Sequence, residues 1–136
     1  MRLKDCHSFV DFRELARRRL PSPIFNYIDG AADDESTYDR NTKSFEDCDL
    51  VPNILRGTEN IDMSVEILGQ KLDMPIYCSP TALQRVFHHE GENAVAAAAD
   101  KYGTLFGVSS LGTVSLSEVR KQYSGPQCYQ FYFHKD

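Results

Sequence analysis

The sequence predicts an α/β fold built on parallel strands. Residues 75–136 repeat a strand-then-helix unit, and strands alternating with helices form parallel sheets. Residues 1–60 instead space their apolar positions as helices do, so a helical lead-in precedes the sheet. Between them, residues 61–74 alternate apolar and polar side chains, the period of a β-hairpin.

Each element has a local reason. Phe9, Phe12, Leu15 and Ala16 share one helical face behind Ser8, a good N-cap, and Leu20-Pro21-Ser22-Pro23 ends that helix. A second helix is expected over Pro23–Asp29, with proline at its start and Gly30 after it. Asp33-Asp34-Glu35 places acids in the first turn of a third helix running to about Phe45, and Val51-Pro52-Asn53 is an extended connection. In the hairpin, Ile61, Met63, Val65 and Ile67 alternate, Leu68-Gly69-Gln70-Lys71 turns, and Leu72 begins the return. The repeating region then gives strand Ile76–Ser79, a helix near Glu90–Tyr102 and strand Leu105–Ser109. Helix Ser115–Tyr123 and strand Gln127–Tyr132 follow, with Gly103-Thr104 and Ser124-Gly125-Pro126 as helix stops.

Composition narrows the function classes. The 136 residues are 41% apolar and 11% aromatic, ordinary for a globular domain or a piece of a larger one. A net charge of −5 argues against a nucleic-acid partner, which needs a clustered basic face. The single basic run, Arg17-Arg18-Arg19, suits a helix C-terminus. No stretch approaches a membrane span, and the first residues lack the apolar core of a signal peptide. Cys6, Cys48, Cys78 and Cys128 form no C-x-x-C pair, so reduced thiols and a cytoplasmic setting are expected. Three parallel strands fit either a small three-layer domain or the opening part of a (β/α)8 barrel, which needs roughly 250 residues in all.

In both architectures, ligands gather at the carboxyl ends of the strands. Those ends read Ser79-Pro80-Thr81-Ala82, Ser109-Ser110 and Gln130-Phe131-Tyr132. Backbone amides in a short proline-pinned loop, hydroxyls, an amide and a phenol suit a flat, neutral, polar ligand. Each serine alone is more often a cap or turn residue; three such ends in register are harder to dismiss. His88-His89 would point about 100° apart on a helix and have no nearby Cys or Asp, so no metal ligand set is assigned. There is no G-x-G-x-x-G, P-loop or G-x-S-x-G.

Four segments carry a family resemblance: F-N-Y-I-D-G-A-A-D-D-E-S-T-Y-D-R-N, S-P-T-A-L-Q-R-V-F-H-H-E-G-E, V-S-S-L-G-T and Q-F-Y-F-H-K-D. In this order and spacing they resemble the FMN-dependent L-2-hydroxy acid dehydrogenases and oxidases, with the cytochrome-linked L-lactate dehydrogenases most alike. The resemblance implies the N-terminal part of a TIM (β/α)8 barrel. Residues 1–60 would be the helical lead-in, 61–74 a hairpin capping the barrel bottom, and 75–136 the first three βα units. It implies FMN as cofactor, contacted by Pro80, Thr81, Ala82, Ser109 and Gln130. Tyr132 would be catalytic, near the substrate hydroxyl, and Tyr27 and Tyr132 would bind the substrate.

The implied reaction is oxidation of an L-2-hydroxy acid, L-lactate to pyruvate, with a quinone, cytochrome or oxygen as electron acceptor. The complete protein is expected to be a homo-oligomer, cytoplasmic or peripheral to the inner face of a membrane. The family's catalytic histidine, substrate arginines and flavin-facing lysine lie on later strands, so this chain alone is expected to be inactive and to bind FMN weakly or not at all. Departures from the family pattern are Ala31, Asn53 and Leu111, the last at a position where glycolate oxidases carry tryptophan. A module that assembles with a complementary chain, or with itself, is the competing expectation, because an open parallel sheet leaves unpaired edges.

Overall fold

A computed structural model describes residues 2–57 and 59–135. The chain divides into two compact units, Met1–Gly57 and Thr58–Asp136.

The first unit is helical. After a 3-10 turn at Leu3–Asp5 come α1 (Phe9–Arg19), α2 (Ser22–Asp29) and α3 (Ser36–Glu46). Ser8 caps α1 reciprocally: its hydroxyl accepts from the Asp11 amide, and the Asp11 carboxylate accepts from the Ser8 amide. Among the described residues of this unit, Leu15 of α1 and Phe25 of α2 are the buried side chains. Arg13 forks onto Asp29 with bonds of 2.5 and 2.9 Å, tying α1 to α2, and its guanidinium lies 5.9 Å from the centre of the Tyr38 ring on α3. The third helix differs from expectation. Asp33, Asp34 and Glu35 precede it, with Asp33 and Glu35 at φ of 53° and 57°, and the Glu35 carboxylate accepts from the Ala31 amide at 2.9 Å. The acids build the turn that aims α3 rather than forming its first turn.

The second unit opens with the antiparallel hairpin β1 (Val65–Ile67) and β2 (Gln70–Leu72), in register Val65↔Leu72. Leu68 and Gly69, at φ of 52° and 72°, form the two-residue turn. The hairpin is shorter than the alternation suggested, and Ile61 and Met63 are exposed. Then follow α4 (Gln84–Phe87), α5 (Glu92–Lys101), β3 (Phe106–Val108), α6 (Leu116–Gln122) and β4 (Gln127–Tyr129). The short helix α4 carries no capping signal and was not legible in the sequence. α5 starts after Gly91, whose φ of 55° breaks the helix that the pattern extended back to Glu90.

β3 and β4 pair in parallel, and Cys78 forms a parallel bridge to Phe106 on the other edge of β3. The three segments thus lie side by side in chain order. The expected strand Ile76–Ser79 contracts to that one bridge for two reasons. The Thr104 hydroxyl donates to the Ile76 carbonyl, taking it from the ladder, and Pro80 has no N–H to continue it. β4 is regular over three residues, and the Gln130 amide extends the pairing by donating to the Val108 carbonyl at 2.8 Å.

Ala96, Ala99, Phe106, Val108, Val114 and Val119 form the core where α5 and α6 meet the sheet, with Cys78 packed against it. Burial pushes the Cys78 thiol up in pKa, in keeping with cysteine acting as a small hydrophobe. Phe106 is 1% exposed, and its burial is worth roughly 2–3 kcal/mol, more than an exposed ion pair supplies. All four cysteines are free. Among the described residues, no helix is long and apolar enough to cross a membrane.

The closest approach in the sheet is at Gly107. A Cβ there would sit 2.7 Å from the Pro80 Cδ and 2.9 Å from its nitrogen. Gly107→Ala is therefore expected to cost about 1–3 kcal/mol by overpacking. It should also speed hydrogen exchange at the Cys78 amide, which bonds the Leu105 carbonyl at 2.9 Å. Urea unfolding and amide exchange test this; an unchanged midpoint would show that the segment yields without cost.

Candidate functional site

The parallel register aligns the three segments that lead to the predicted strand-end residues. Cys78, Phe106 and Gln127 are mutually aligned, and Thr81, Ser109 and Gln130 each lie three residues beyond them (78 to 81, 106 to 109, 127 to 130). Pro80 is pressed against Gly107, so the 79–82 loop leaves the sheet directly beside β3. Among the described residues, no hydrogen bond engages the amides of Thr81 and Ala82. Two free donors on a proline-fixed backbone offer a polar edge a place to bind.

Ser109 is 4% exposed and directly follows β3. Its hydroxyl oxygen accepts from the Leu111 amide at 3.2 Å, and its carbonyl from Gly112 at 3.0 Å. It therefore serves the turn, yet its O–H proton stays available to donate. The neighbouring Ser110 hydroxyl is buried with no protein partner among the described residues. Just after β4, the Gln130 side chain donates to the Tyr132 hydroxyl at 3.0 Å. Tyr27 lies on α2 of the first unit with its ring exposed.

The strand-end reading missed the group that holds these loops. Glu92, the first residue of α5, has no exposed surface. Its carboxylate accepts from the Thr113 amide at 2.7 Å, the Thr113 hydroxyl at 2.6 Å and the Val114 amide at 3.1 Å. Burial would raise its pKa. The Thr113 hydroxyl and amide, with smaller pulls from the amides of Glu92 and Gln84, outweigh that and hold it below the usual carboxylate range. A signal was present in the sequence: Glu92 occupies the same helical stripe as the buried Ala96 and Ala99. An acid on an apolar stripe implies a buried partner.

His88 and His89 are not on a helix. His88 is extended, at φ −149°, after α4, and both histidines lie in the turn before α5. The premise of a fixed angular separation therefore fails; their rings are 4.4 Å apart, and ligand atoms of His88, His89 and Glu90 lie within 4.8 Å of one another, all solvent-exposed. A groove of about 500 Å³, lined by Leu68, Leu105, Leu116, Arg120 and Pro126, opens toward the amino ends of β3 and β4. Size alone does not mark the chemistry here, because the donors gather at the carboxyl ends.

The sequence pattern of the FMN-dependent dehydrogenases matches residues 16–136. Glycolate oxidase of Spinacia oleracea is 38% identical over 126 residues, covering 93% of this chain and 34% of that protein. L-lactate dehydrogenase of Xanthobacter autotrophicus is 38% identical over 129 residues, covering 95% and 33%. A crystal structure of mandelate oxidase superposes with a TM-score of 0.86 at 32% identity, covering 95% of this chain and 39% of that one. The chain spans about a third of the length of the curated relatives it matches.

The Glu92 geometry gives a pH-dependent prediction. A carboxyl whose folded pKa is depressed stabilises above its unfolded value, and that stability is lost as pH falls through the folded value. Glu92→Gln should therefore cost about 2–3 kcal/mol at neutral pH, since two buried amides lose a charged acceptor. The gap between parent and variant should narrow below about pH 4.5. Urea unfolding across this range checks it, and a gap independent of pH would count against an ionised Glu92.

Proposed function

Because the chain belongs to the FMN-dependent dehydrogenase family, we propose that it supplies one wall of a flavin site for oxidation of an L-2-hydroxy acid, L-lactate to pyruvate. The observation that carries this is the pair of unengaged amides at Thr81 and Ala82, in the loop that leaves the Cys78 segment beside β3, whose carboxyl end leads into the buried Ser109. The donor set suits an isoalloxazine: amides for a polar edge, a hydroxyl and a carboxamide for ring heteroatoms. In this reading Pro80, Thr81 and Ala82 face one edge of the ring system, with Ser109 and Gln130 beside them.

FMN, when bound, accepts the two electrons released as the hydroxy acid becomes a keto acid, and an external quinone, cytochrome or oxygen takes them on. This chain's part is positioning. The Tyr132 oxygen already accepts from Gln130, so its own O–H proton is left to donate to a substrate oxygen. Tyr27 is assigned to the substrate carboxylate on the family resemblance. The three parallel segments are read as the first strands of a (β/α)8 barrel, with the 61–74 hairpin beneath it.

Leu111 carries the substrate choice in this proposal. Its side chain is 57% exposed on the turn after β3. A leucine where glycolate oxidases carry tryptophan leaves room for a methyl or larger group. The test is a full-length flavin-loaded form, with this chain joined to the remaining two thirds of a relative such as the spinach enzyme. It should turn over L-lactate in preference to glycolate, and Leu111→Trp should move the ratio back by about tenfold. Preference for glycolate by the Leu111 form would sink the assignment.

One feature favours a second reading, as an assembling module. Tyr129 at the end of β4, and Phe131 and Phe133 beyond it, are exposed, in tilted and edge-to-face contact at centroid distances of 6.4 and 5.7 Å. The β4 edge beside them invites strand pairing with another chain. Light scattering of the purified chain decides: a dimer or larger species is expected on this reading, and a compact monomer at high concentration counts against it.

A further inference from the structure

The two loops that carry the proposed flavin contacts do not rest only on the sheet. They meet at a junction away from it, built from Arg85 after the first loop, Gly91-Glu92 at the start of α5, and Thr113 at the end of the turn after β3. The Thr113 hydroxyl sits in the middle. It donates to the Glu92 carboxylate at 2.6 Å and accepts from the Arg85 amide at 3.2 Å, a first-turn amide of α4 with no helical acceptor. Gly91 lets these backbones approach: a Cβ there would stand 2.6 Å from the Arg85 Cγ and 3.3 Å from the Thr113 hydroxyl oxygen. A second link lies closer to the strand ends, where the Leu83 amide donates to the Leu111 carbonyl at 3.1 Å. Leu83 itself is held at φ 55°, a conformation that branched side chains keep only when their surroundings enforce it.

We infer that Glu92 and Thr113 form a positioning relay that fixes the spacing between the 79–85 loop and the 109–114 turn, and with it the width of the cleft for a planar ring. The inference rests on the flavin reading for the ligand, but the relay itself is a property of the protein. Glu92 pulls on the Thr113 and Val114 amides, and Thr113 passes the constraint to Arg85. If the turn drifts, the carboxylate loses its partners in a buried site, so the relay has one low-energy spacing. Glu92 touches neither candidate ligand contact directly; it acts through the turn that holds Ser109 and Leu111.

Amide hydrogen exchange and FMN titration of the full 136-residue chain, both followed by NMR, test this. The reporters are Leu83, which bonds across the two loops, and Gly107 and Gln130, which bond within the sheet. In Glu92→Gln and Thr113→Val, exchange at Leu83 should rise by about tenfold beyond any rise at the sheet amides, which follow the loss of global stability. Thr113→Ser keeps the hydroxyl and should match the parent. Val119→Ala, a core change outside the relay, should speed all three amides by a similar factor. The relay is overturned if Leu83 moves no more than Gly107 in both relay variants, or if Thr113→Ser behaves like Thr113→Val.

FMN at up to about millimolar concentration should shift the Thr81 and Ala82 amide resonances of the parent, with roughly fivefold weaker binding in Glu92→Gln. Unchanged FMN affinity in a variant whose Leu83 exchange has risen overturns the link between spacing and ligand. No shift in the parent removes the flavin reading, and the exchange rates alone then decide the relay.

Discussion

The arrangement of the second unit turns on one buried carboxylate. Taking an ionised glutamate out of water costs several kcal/mol unless it is fully hydrogen-bonded. Glu92 meets that condition with three donors at 2.6–3.1 Å, two of them backbone amides of the turn after β3. Its place at the N-terminus of α5 adds the favourable end of the helix dipole. The charge therefore dictates where Thr113 and Val114 lie, and Val114 is itself in the core between α5, α6 and the sheet. A shift of that turn would strand a charge and open the core together.

A second constraint works along the strands. Thr104 and Pro80 cut short the ladder between the Cys78 segment and β3. What the sheet loses in pairing, the loop gains in unengaged amides at Thr81 and Ala82. Stability is recovered on the helix face of the sheet, where Phe106 and Val108 are each 1% exposed. Gly107 alternates with them and admits Pro80 at a distance no side chain would tolerate. The same short strand thus presents a packed face to the helices and a bare backbone to the proline that starts the loop.

The sequence made the order and type of the long elements legible, because their causes are local. Ser8 and Ser115 cap the helices they were expected to cap or begin, and the period of two located the hairpin. The parallel strands followed from the strand–helix alternation. What was not legible depended on partners distant in the chain. The contraction of the first strand needs Thr104, 28 residues from Ile76. The start of α5 needs a glycine at positive φ packed on Arg85, and α4 has no capping residue to announce it. Glu92 was passed over because its partners lie 21 and 22 residues downstream. The acids Asp33–Glu35 were assigned to a helix by composition, whereas Glu35 satisfies the Ala31 amide in a turn.

The names of the similar proteins bear on how the proposed site would divide its roles. One is named a glycolate oxidase, another an L-lactate dehydrogenase and a third a mandelate oxidase, and each aligns with more than nine tenths of this chain. On the proposed reading, a wall common to proteins named for such different acids would serve the flavin. Selectivity among acids then falls to side chains that project from the wall without building it. Leu111 fits that description on physical grounds. Its amide is held by the Ser109 hydroxyl and its carbonyl by the Leu83 amide, while its side chain remains largely exposed. The backbone is pinned at both ends, so the side chain can change in size without moving the turn that carries it.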